Sequence, residues 1–550
     1  MRTTPPDWDH CGIDATEEDP LGCRGVRTAR DAPCLAHLEP GARAAHLAAR
    51  APGDGIDCRG VTFDAALLTA VLEVAVSDDG CGVCDFTAAR FTDDVLLSGA
   101  RFGGDMVFGD ARFEGLVDLD TVRFERGAWF HGARFLRQAS FGGTRFGADA
   151  GFGDAVFHER AWFGAARFEG KVWFDRTHFH GDAVFLSAHF TATSMASVIC
   201  SGTLSLADAT FSRPLRLTAA ARHIDASGAR FEGPVTLRAR YATIDLTGAL
   251  LTHPCAVATD HAAPARPAEA ALAAEREITV AVVSVQATDA AMLLLADTNL
   301  SRCVFSGAHH LDQLRLEGRW DLGTVPSGVR WHRGIPRWWS TRQVIVEEAR
   351  WRALPRRPAA ARLGWPAPPD DPGATPGLAT LTTLYRQLRK AREDAKDEPG
   401  AADLYYGEME MRRHSHRWHR PERWLLQAYW LLSGYGLRAA RSLGWLVCAM
   451  AVTTVLMTGF GLPDTAARPY PSGSGLIGKG HPELRRPFGE RFTADRVDKA
   501  VDVVLNSVVF RSSGTELTRA GGYLEKASRL GEPVLFGLTV LAVRGRVKRG

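Results

Sequence analysis

The sequence predicts a mainly β fold, a solenoid of stacked coils with a helical N-terminal cap, followed by an α-helical membrane module. Three observations predict it. Phenylalanine recurs in steps of eleven from residue 86, a twenty-residue register follows from residue 209, and a twenty-residue run near the C-terminus carries no charge. At 550 residues the chain exceeds one core, because domains hold about 100–200 residues each. Sixty-six basic against 63 acidic residues leave a formal charge of +3, so no global field draws nucleic acid. Ten cysteines are too few for a disulfide scaffold, and the first 40 residues hold no apolar run, so a secretory signal is not expected.

One anchor series is Phe91, Phe102, Phe113, Phe124, Phe135, Phe146, Phe157, Phe168, Phe179 and Phe190. A second runs Phe86, Leu97, Phe108, Leu119, Phe130, Phe141, Phe152, Phe163, Phe174 and Phe185, so the interleaved gaps alternate five and six. Such gaps would walk the anchors around a helix and leave no single apolar stripe. A right-handed coiled coil can carry an eleven-residue repeat, but not with glycine in most units. A chain that turns a corner every five or six residues fits: each anchor points inward and stacks on its equivalent one coil later. On this reading Phe124, Phe135 and Phe146 stack in successive coils. From Ala209, Phe211, Pro214, Leu217 and Ile224 the pattern returns at Ala229, Phe231, Pro234, Leu237 and Ile244. Twenty residues make four faces of five, one turn of a square coil.

These units, a small residue followed two places later by Leu or Phe, resemble the pentapeptide-repeat family over about residues 86–257. The resemblance implies a right-handed quadrilateral β-helix, with the sixth residue of alternate faces leaving the cross-section open. At about 4.8 Å per coil, roughly eight turns would make a rod of about 35–40 Å. Some relatives mimic DNA with an acidic rod. Residues 86–250 hold 18 acidic and 18 basic side chains, so mimicry is not expected.

Residues 1–85 read as a capping segment, with short amphipathic helices over 36–50 and 61–77. Cys11, Cys23, Cys34 and His37 are a candidate metal set with Cys34-x-x-His37 at ligand spacing, and zinc takes four such soft ligands. A plain cap without metal is the alternative, so no cofactor is required. Cys81-Gly-Val-Cys84 has redox spacing, without a thioredoxin-like βαβ context.

Residues 258–352 read as an Ala-rich insertion, resumed coils and a cap rich in tryptophan, among them Trp331, Trp338, Trp339 and Trp351. His309, His310 and Asp312 could hold a metal or form a hydrogen-bonded corner. Residues 353–378 are a Pro-rich linker. Residues 379–422 are a helical hairpin broken at Pro399 and Gly400; Glu408 and Glu410, two apart, face different ways.

Residues 423–550 read as the membrane module. Leu443–Leu462 is uncharged and long enough for a ~30 Å hydrocarbon core, giving a span at about 443–462. An interfacial helix precedes it at Trp424–Leu437. A second, weaker span is placed at about 523–543, where the uncharged stretch is Pro533–Val543, and an apolar pore-like helix at about 499–511, whose Val504, Leu505, Val508 and Val509 form a face expected to pack between helices of one or more subunits. Arg412, Arg413, Arg417, Arg420, Arg423, Arg438 and Arg441 crowd the N-terminal side, which the positive-inside rule makes cytoplasmic. The order of elements resembles the two-helix pore of potassium-type channels. Phrases such as YGEMEMRR, SGYGLRA, LNSVVFRSSG and RGRVKR resemble membrane-tethered pentapeptide-repeat proteins of actinobacteria. Where a potassium filter needs Gly-Tyr-Gly, the chain reads Val508, Val509, Phe510, Arg511, Ser512, Ser513 and Gly514, and an arginine there repels cations. The pore is therefore read as degenerate. Gly473–Gly480 contains GxGxxG and a near P-loop but lacks the Ser or Thr after lysine.

The function these features imply is a non-enzymatic scaffold at the cell membrane. Its β-helix faces a protein partner in the cytoplasm, with no nucleic acid, and the membrane module can pair with further copies of the chain. Two alternatives stand beside it: an ion-channel-like protein with a non-standard pore, and a membrane-associated oxidoreductase using Cys81 and Cys84.

Overall fold

The computed structural model describes residues 5–50, 54–75, 82–262, 266–326, 328–332, 335–338, 341–354, 364–365, 375–464, 469–471, 477–479, 484, 486–509, 512 and 514–547. The chain forms two compact units, residues 1–376 with 390–395, and residues 377–389 with 396–550.

The first unit is a β-solenoid of about ten turns, each built from short strands in parallel register. Arg101–Phe102 pairs with Arg123–Phe124, which pairs with Arg145–Phe146. Arg112–Phe113 pairs with Arg134–Phe135 and that with Val156–Phe157. The coil repeat is thus 22 residues, the separation at which backbone and corner contacts recur. This corrects the stacking read from the sequence. Steps of eleven alternate between two faces, so Phe124 stacks on Phe146 at 5.3 Å and Phe135 stacks on Phe113 and Phe157. Phe108, Phe130 and Phe152 form a third ladder, and Phe141, Phe163 and Phe185 a fourth. All ten anchors from Phe91 to Phe190 are at most 2% exposed.

The alternating five and six have a local cause. The Phe86 carbonyl accepts the Ala89 N–H, closing a tight turn with Ala88 at φ +57°. The same left-handed residue returns every eleven positions, at Gly99, Asp110, Thr121, Gly132, Gly143 and Asp154. Short faces thus end in a turn that needs a positive φ; long faces carry one extra residue instead. Farther along, Phe211, Phe231 and Leu251 pair at the twenty-residue register.

The ladder starts before residue 86, with Ile56 paired to Cys84 and Phe63 to Phe91. It continues past residue 257: Val280–Ser284 lies on Thr243–Asp245, and Leu293–Ala296 on Cys255–Ala258. Helix Ala270–Glu275 of the Ala-rich insertion lays Leu272 on Ile199, Ala220 and Tyr241. At the C-terminal end, helix Val346–Ala353 brings buried Glu347 to the coil, where Oε1 accepts the N–H groups of Phe305 and Ser306 at 2.6 and 2.9 Å.

The helical hairpin is Leu378–Asp394, whose residues 390–394 belong to the first unit, and Glu398–Ser415. The break falls earlier than Pro399 and Gly400: Lys396 takes φ +60°, and Asp397 caps the second helix by accepting from the Gly400 N–H at 3.1 Å. Pro399 sits in the first turn, where its missing N–H is no loss. Helices Pro421–Ser433, Ala439–Leu456, Ala494–Val508 and Arg519–Val547 follow, with a π turn over Met457–Gly461. Gly461 and Gly521 meet backbone to backbone, leaving no room for a Cβ.

Candidate metal centre

Cys11, Cys23, Cys34 and His37 converge, with one ligand atom from each lying within 4.8 Å of the others. Local folding explains why. Cys11 N–H donates to the Gly25 carbonyl and Gly12 N–H to that of Cys23, both at 2.8 Å, so Cys11 and Cys23 face each other across paired backbone. The Cys34 carbonyl accepts from His37 and Leu38 N–H, and this single turn brings Cys34 and His37 to one side. A Cβ on Gly25 would lie 2.8 Å from Cys34 Sγ, so only glycine lets the two segments close.

Cys34 Sγ lies 3.4 Å from His37 Nδ1 and 3.6 Å from Cys23 Sγ, and Cys11 Sγ lies 3.7 Å from His37 Nδ1. Cys11 and Cys34 are buried. The hydrogen bond from Cys23, then those of His37, holds the Cys34 thiol well below its usual value, at about 5. On the opposite ring edge, His37 Nε2 meets Asp14 Oδ2 at 3.3 Å. Asp14 and Gly25 escaped the sequence reading because neither stands at a ligand spacing.

The other candidates do not converge. His310 Nδ1 lies 2.9 Å from Asp289, whereas Asp312 pairs with Lys390 at 2.8 Å. Cys84 is buried, and Cys81 lies outside the described residues. The Gly473–Gly480 segment is largely outside them too, but its Ile477–Lys479 pairs with the preceding Pro469–Pro471 as an antiparallel hairpin, not as a strand leading to a helix. The side chains of Trp331, Trp338 and Trp339 are also outside; Trp351 is buried.

Of the pore-like residues, Val508 ends helix Ala494–Val508, Ser512 is exposed and Gly514 takes φ +66°. Phe510 and Arg511 lie outside the described residues. The sequence places Val504, Leu505, Val508 and Val509 on a packed face; the structure buries Arg496, Ala500, Val503, Val504 and Ser507, leaving Leu505 and Val509 exposed. Register explains the shift, because Ala500 and Val503 fill the space beside Met457 and Leu462.

Two further clusters went unread. Glu410 accepts from Arg413 at 2.7 Å and from the Tyr435 hydroxyl at 3.1 Å, and Trp430 Nε1 donates to the Tyr406 hydroxyl at 3.0 Å. The phrases YGEMEMRR and SGYGLRA are therefore one buried polar cluster. On the solenoid, Trp129 and Trp173 stack at 6.1 Å over Gly151 beside a surface cavity of about 300 Å³ lined also by His131, Asp175 and Arg176.

Parallel coils, four inward ladders and a turn at each short face define a β-solenoid built of pentapeptide units. Residues 119–167 match the family model described as pentapeptide repeats (9 copies). No curated protein and no solved structure matches the chain. Among the described residues one helix, Ala439–Gly461, is long and apolar enough to cross a membrane; Arg519–Val547 is long but carries Glu525, Lys526, Arg529 and Glu532 in its first half.

Proposed function

We propose that the protein is a membrane-anchored scaffold, without catalysis, whose pentapeptide-repeat solenoid presents an ordered surface to a cytoplasmic protein partner. The observation that carries the anchor is a broad apolar exterior on the second unit. Leu443, Val447, Val452 and Val455 on one helix, Trp424 and Leu425 on a second, and Leu530, Val534 and Leu541 on a third are all exposed. Soluble monomers rarely leave so much apolar surface in water. The pore-like order of elements supports a second crossing near 523–543 and contact with further copies through Leu505 and Val509.

The solenoid supports the scaffold half of the reading. Arg101, Arg123, Arg145 and Arg167 are stacked one per coil, as are Arg90, Arg112 and Arg134, and all are exposed. Acids answer some of them, with Glu125 on Arg101 and Glu169 on Arg145, each at 2.9 Å. Mixed rows at a fixed spacing of about 4.8 Å suit an acidic or mixed protein surface better than a polyanion.

Alkaline extraction and cysteine labelling test the reading. In a Cys448→Ser background, the full chain stays in membranes through carbonate washing. Gly489→Cys labels with an impermeant reagent on intact cells, and Ser415→Cys labels only after permeabilisation. Release of the wild type by carbonate overturns the anchor; reversed labelling overturns the orientation.

A further inference from the structure

We propose that Cys11, Cys23, Cys34 and His37 bind one Zn²⁺ ion in a closed structural site that fastens the N-terminal segment to the first coil of the solenoid. This goes beyond the scaffold reading and stands or falls apart from it.

The donor set matches the ion. Three sulfurs and one imidazole nitrogen form a four-ligand, all-protein shell, which zinc favours in structural sites. With Zn–S of about 2.3 Å and Zn–N of about 2.0 Å, tetrahedral ligand atoms lie about 3.5–3.8 Å apart. Three of the six separations are 3.4, 3.6 and 3.7 Å, and all six lie within 4.8 Å. A disulfide needs S–S of about 2.05 Å, and Cys23 and Cys34 are both free thiols at 3.6 Å. Soft thiolates select zinc over magnesium or calcium.

The surroundings are those of a ligand shell. Nδ1 of His37 faces the sulfurs, and its Nε2 is held by Asp14 at 3.3 Å, the outer carboxylate that orients a metal-bound histidine. Three thiolates, one neutral imidazole and Zn²⁺ sum to one negative charge. Arg27 stands beside it, donating to the Cys11 carbonyl at 3.1 Å.

The purpose follows from what the cluster holds. Val26 N–H donates to the Arg59 carbonyl at 2.8 Å, Trp8 Nε1 donates to the Arg24 carbonyl at 2.9 Å, and Arg59 lies over the Trp8 ring. Cys58–Gly60 in turn donates to the next coil, at Asp85 and Thr87. The ligands come from a segment whose only regular helix among the described residues is Pro40–Ala48, too little for a core of its own. A bare solenoid end invites edge pairing, and the metal-held segment covers it.

The experiment uses the full chain, purified in detergent from zinc-supplemented cells. Elemental analysis is expected to return about one zinc per chain, with an absorption-edge shell of three sulfurs and one nitrogen. Cobalt(II) in place of zinc is expected to show tetrahedral thiolate bands. Asp14→Asn should weaken zinc affinity about 10–100-fold while leaving those bands in place, and this variant retains every ligand if Cys34→Ser fails to fold. Chelation should speed tryptic cleavage at Arg24, Arg27 and Arg30 and spare Arg123. Zinc-free protein, an oxygen-rich shell, a Cys23–Cys34 disulfide, or N-terminal cleavage indifferent to chelation would each overturn the proposal. None of these results depends on whether the second unit enters a membrane.

Discussion

Phe135 lies face to face on Phe157, with ring centroids 4.5 Å apart and planes 2° from parallel, although Phe146 stands midway between them in the sequence. The solenoid core is thus a set of separate ladders, each coupling residues one coil apart. Phe135→Ala empties a fully buried position and is expected to cost about 3–5 kcal/mol. Arg137 is exposed, and its replacement by Ala should stay within about 0.5 kcal/mol. A double-mutant cycle by urea unfolding should find stronger coupling between Phe135 and Phe157 than between Phe135 and Phe146. Equal coupling would contradict the 22-residue coil.

Thr121 is a β-branched residue at φ +57°, between Gly99 and Gly143 at the same corner of neighbouring coils. A left-handed conformation costs a residue with a Cβ about 1–2 kcal/mol. Thr121 Oγ1 donates to the Asp120 carbonyl at 2.7 Å, an exposed contact of small worth. Thr121→Gly should therefore raise stability by about 1 kcal/mol, less the entropy that glycine adds to the unfolded chain. A loss of stability on this substitution would show that the corner is held by the threonine and not merely tolerated by it.

The solenoid was legible because stacking forces each core position to repeat its chemistry, so the Phe and Leu anchors appear in the sequence as a rhythm. Which anchors touch was not legible, since steps of eleven and of 22 are the same series until a coil length is known. The Cys34-x-x-His37 half of the cluster announced itself by spacing. Cys11 and Cys23 join it through backbone pairing at Gly25, which leaves no local signature. In the second unit, hydropathy marked Leu443–Leu462, but the face that helix Ala494–Val508 buries within the chain was only partly legible. Its packing is decided by Met457 and Leu462 on another element, and by a buried arginine that a hydropathy pattern would put in water.

That arginine is Arg496. Its Nη1 donates to Asp464 at 2.8 Å, and its Nη2 donates to the carbonyls of Thr458 and Leu462 at 3.0 and 2.8 Å. Those carbonyls end the apolar helix and have no further turn to bond, so one cation satisfies both and meets its counter-ion. Asp464→Asn leaves the charge buried and unpaired and should cost about 3–5 kcal/mol. Arg496→Lys, which lacks the planar fork, should recover little of an Arg496→Ala loss. Thermal unfolding in detergent reads both; full rescue by lysine would mean that charge alone matters here.

Glu347 supplies a pH-dependent prediction. It is completely buried, and Oε1 accepts two backbone N–H groups at the last coil. Oε2 has no hydrogen-bond partner among the described residues. Burial pushes the carboxyl above its ordinary value of 4.5, and the two amides oppose that shift without cancelling it. Well below pH 4.5 the folded and unfolded chains both hold the proton, so its stabilising contribution is fully present there and does not vary with pH. As the pH rises from 4.5 through the raised folded value, the unfolded chain binds fewer protons than the folded one, and stability contributed by the proton is lost. Glu347→Gln keeps an acceptor for Phe305 and Ser306 and cannot ionise. Its stability should lack that decline and equal or exceed the wild type at pH 7. Glu347→Ala instead strands two buried amides, each worth about 1–3 kcal/mol. Urea unfolding of the three proteins across pH 4 to 8 separates these cases. If Gln loses as much as Ala at neutral pH, the ionised carboxylate itself holds the coil end, and the burial argument is wrong.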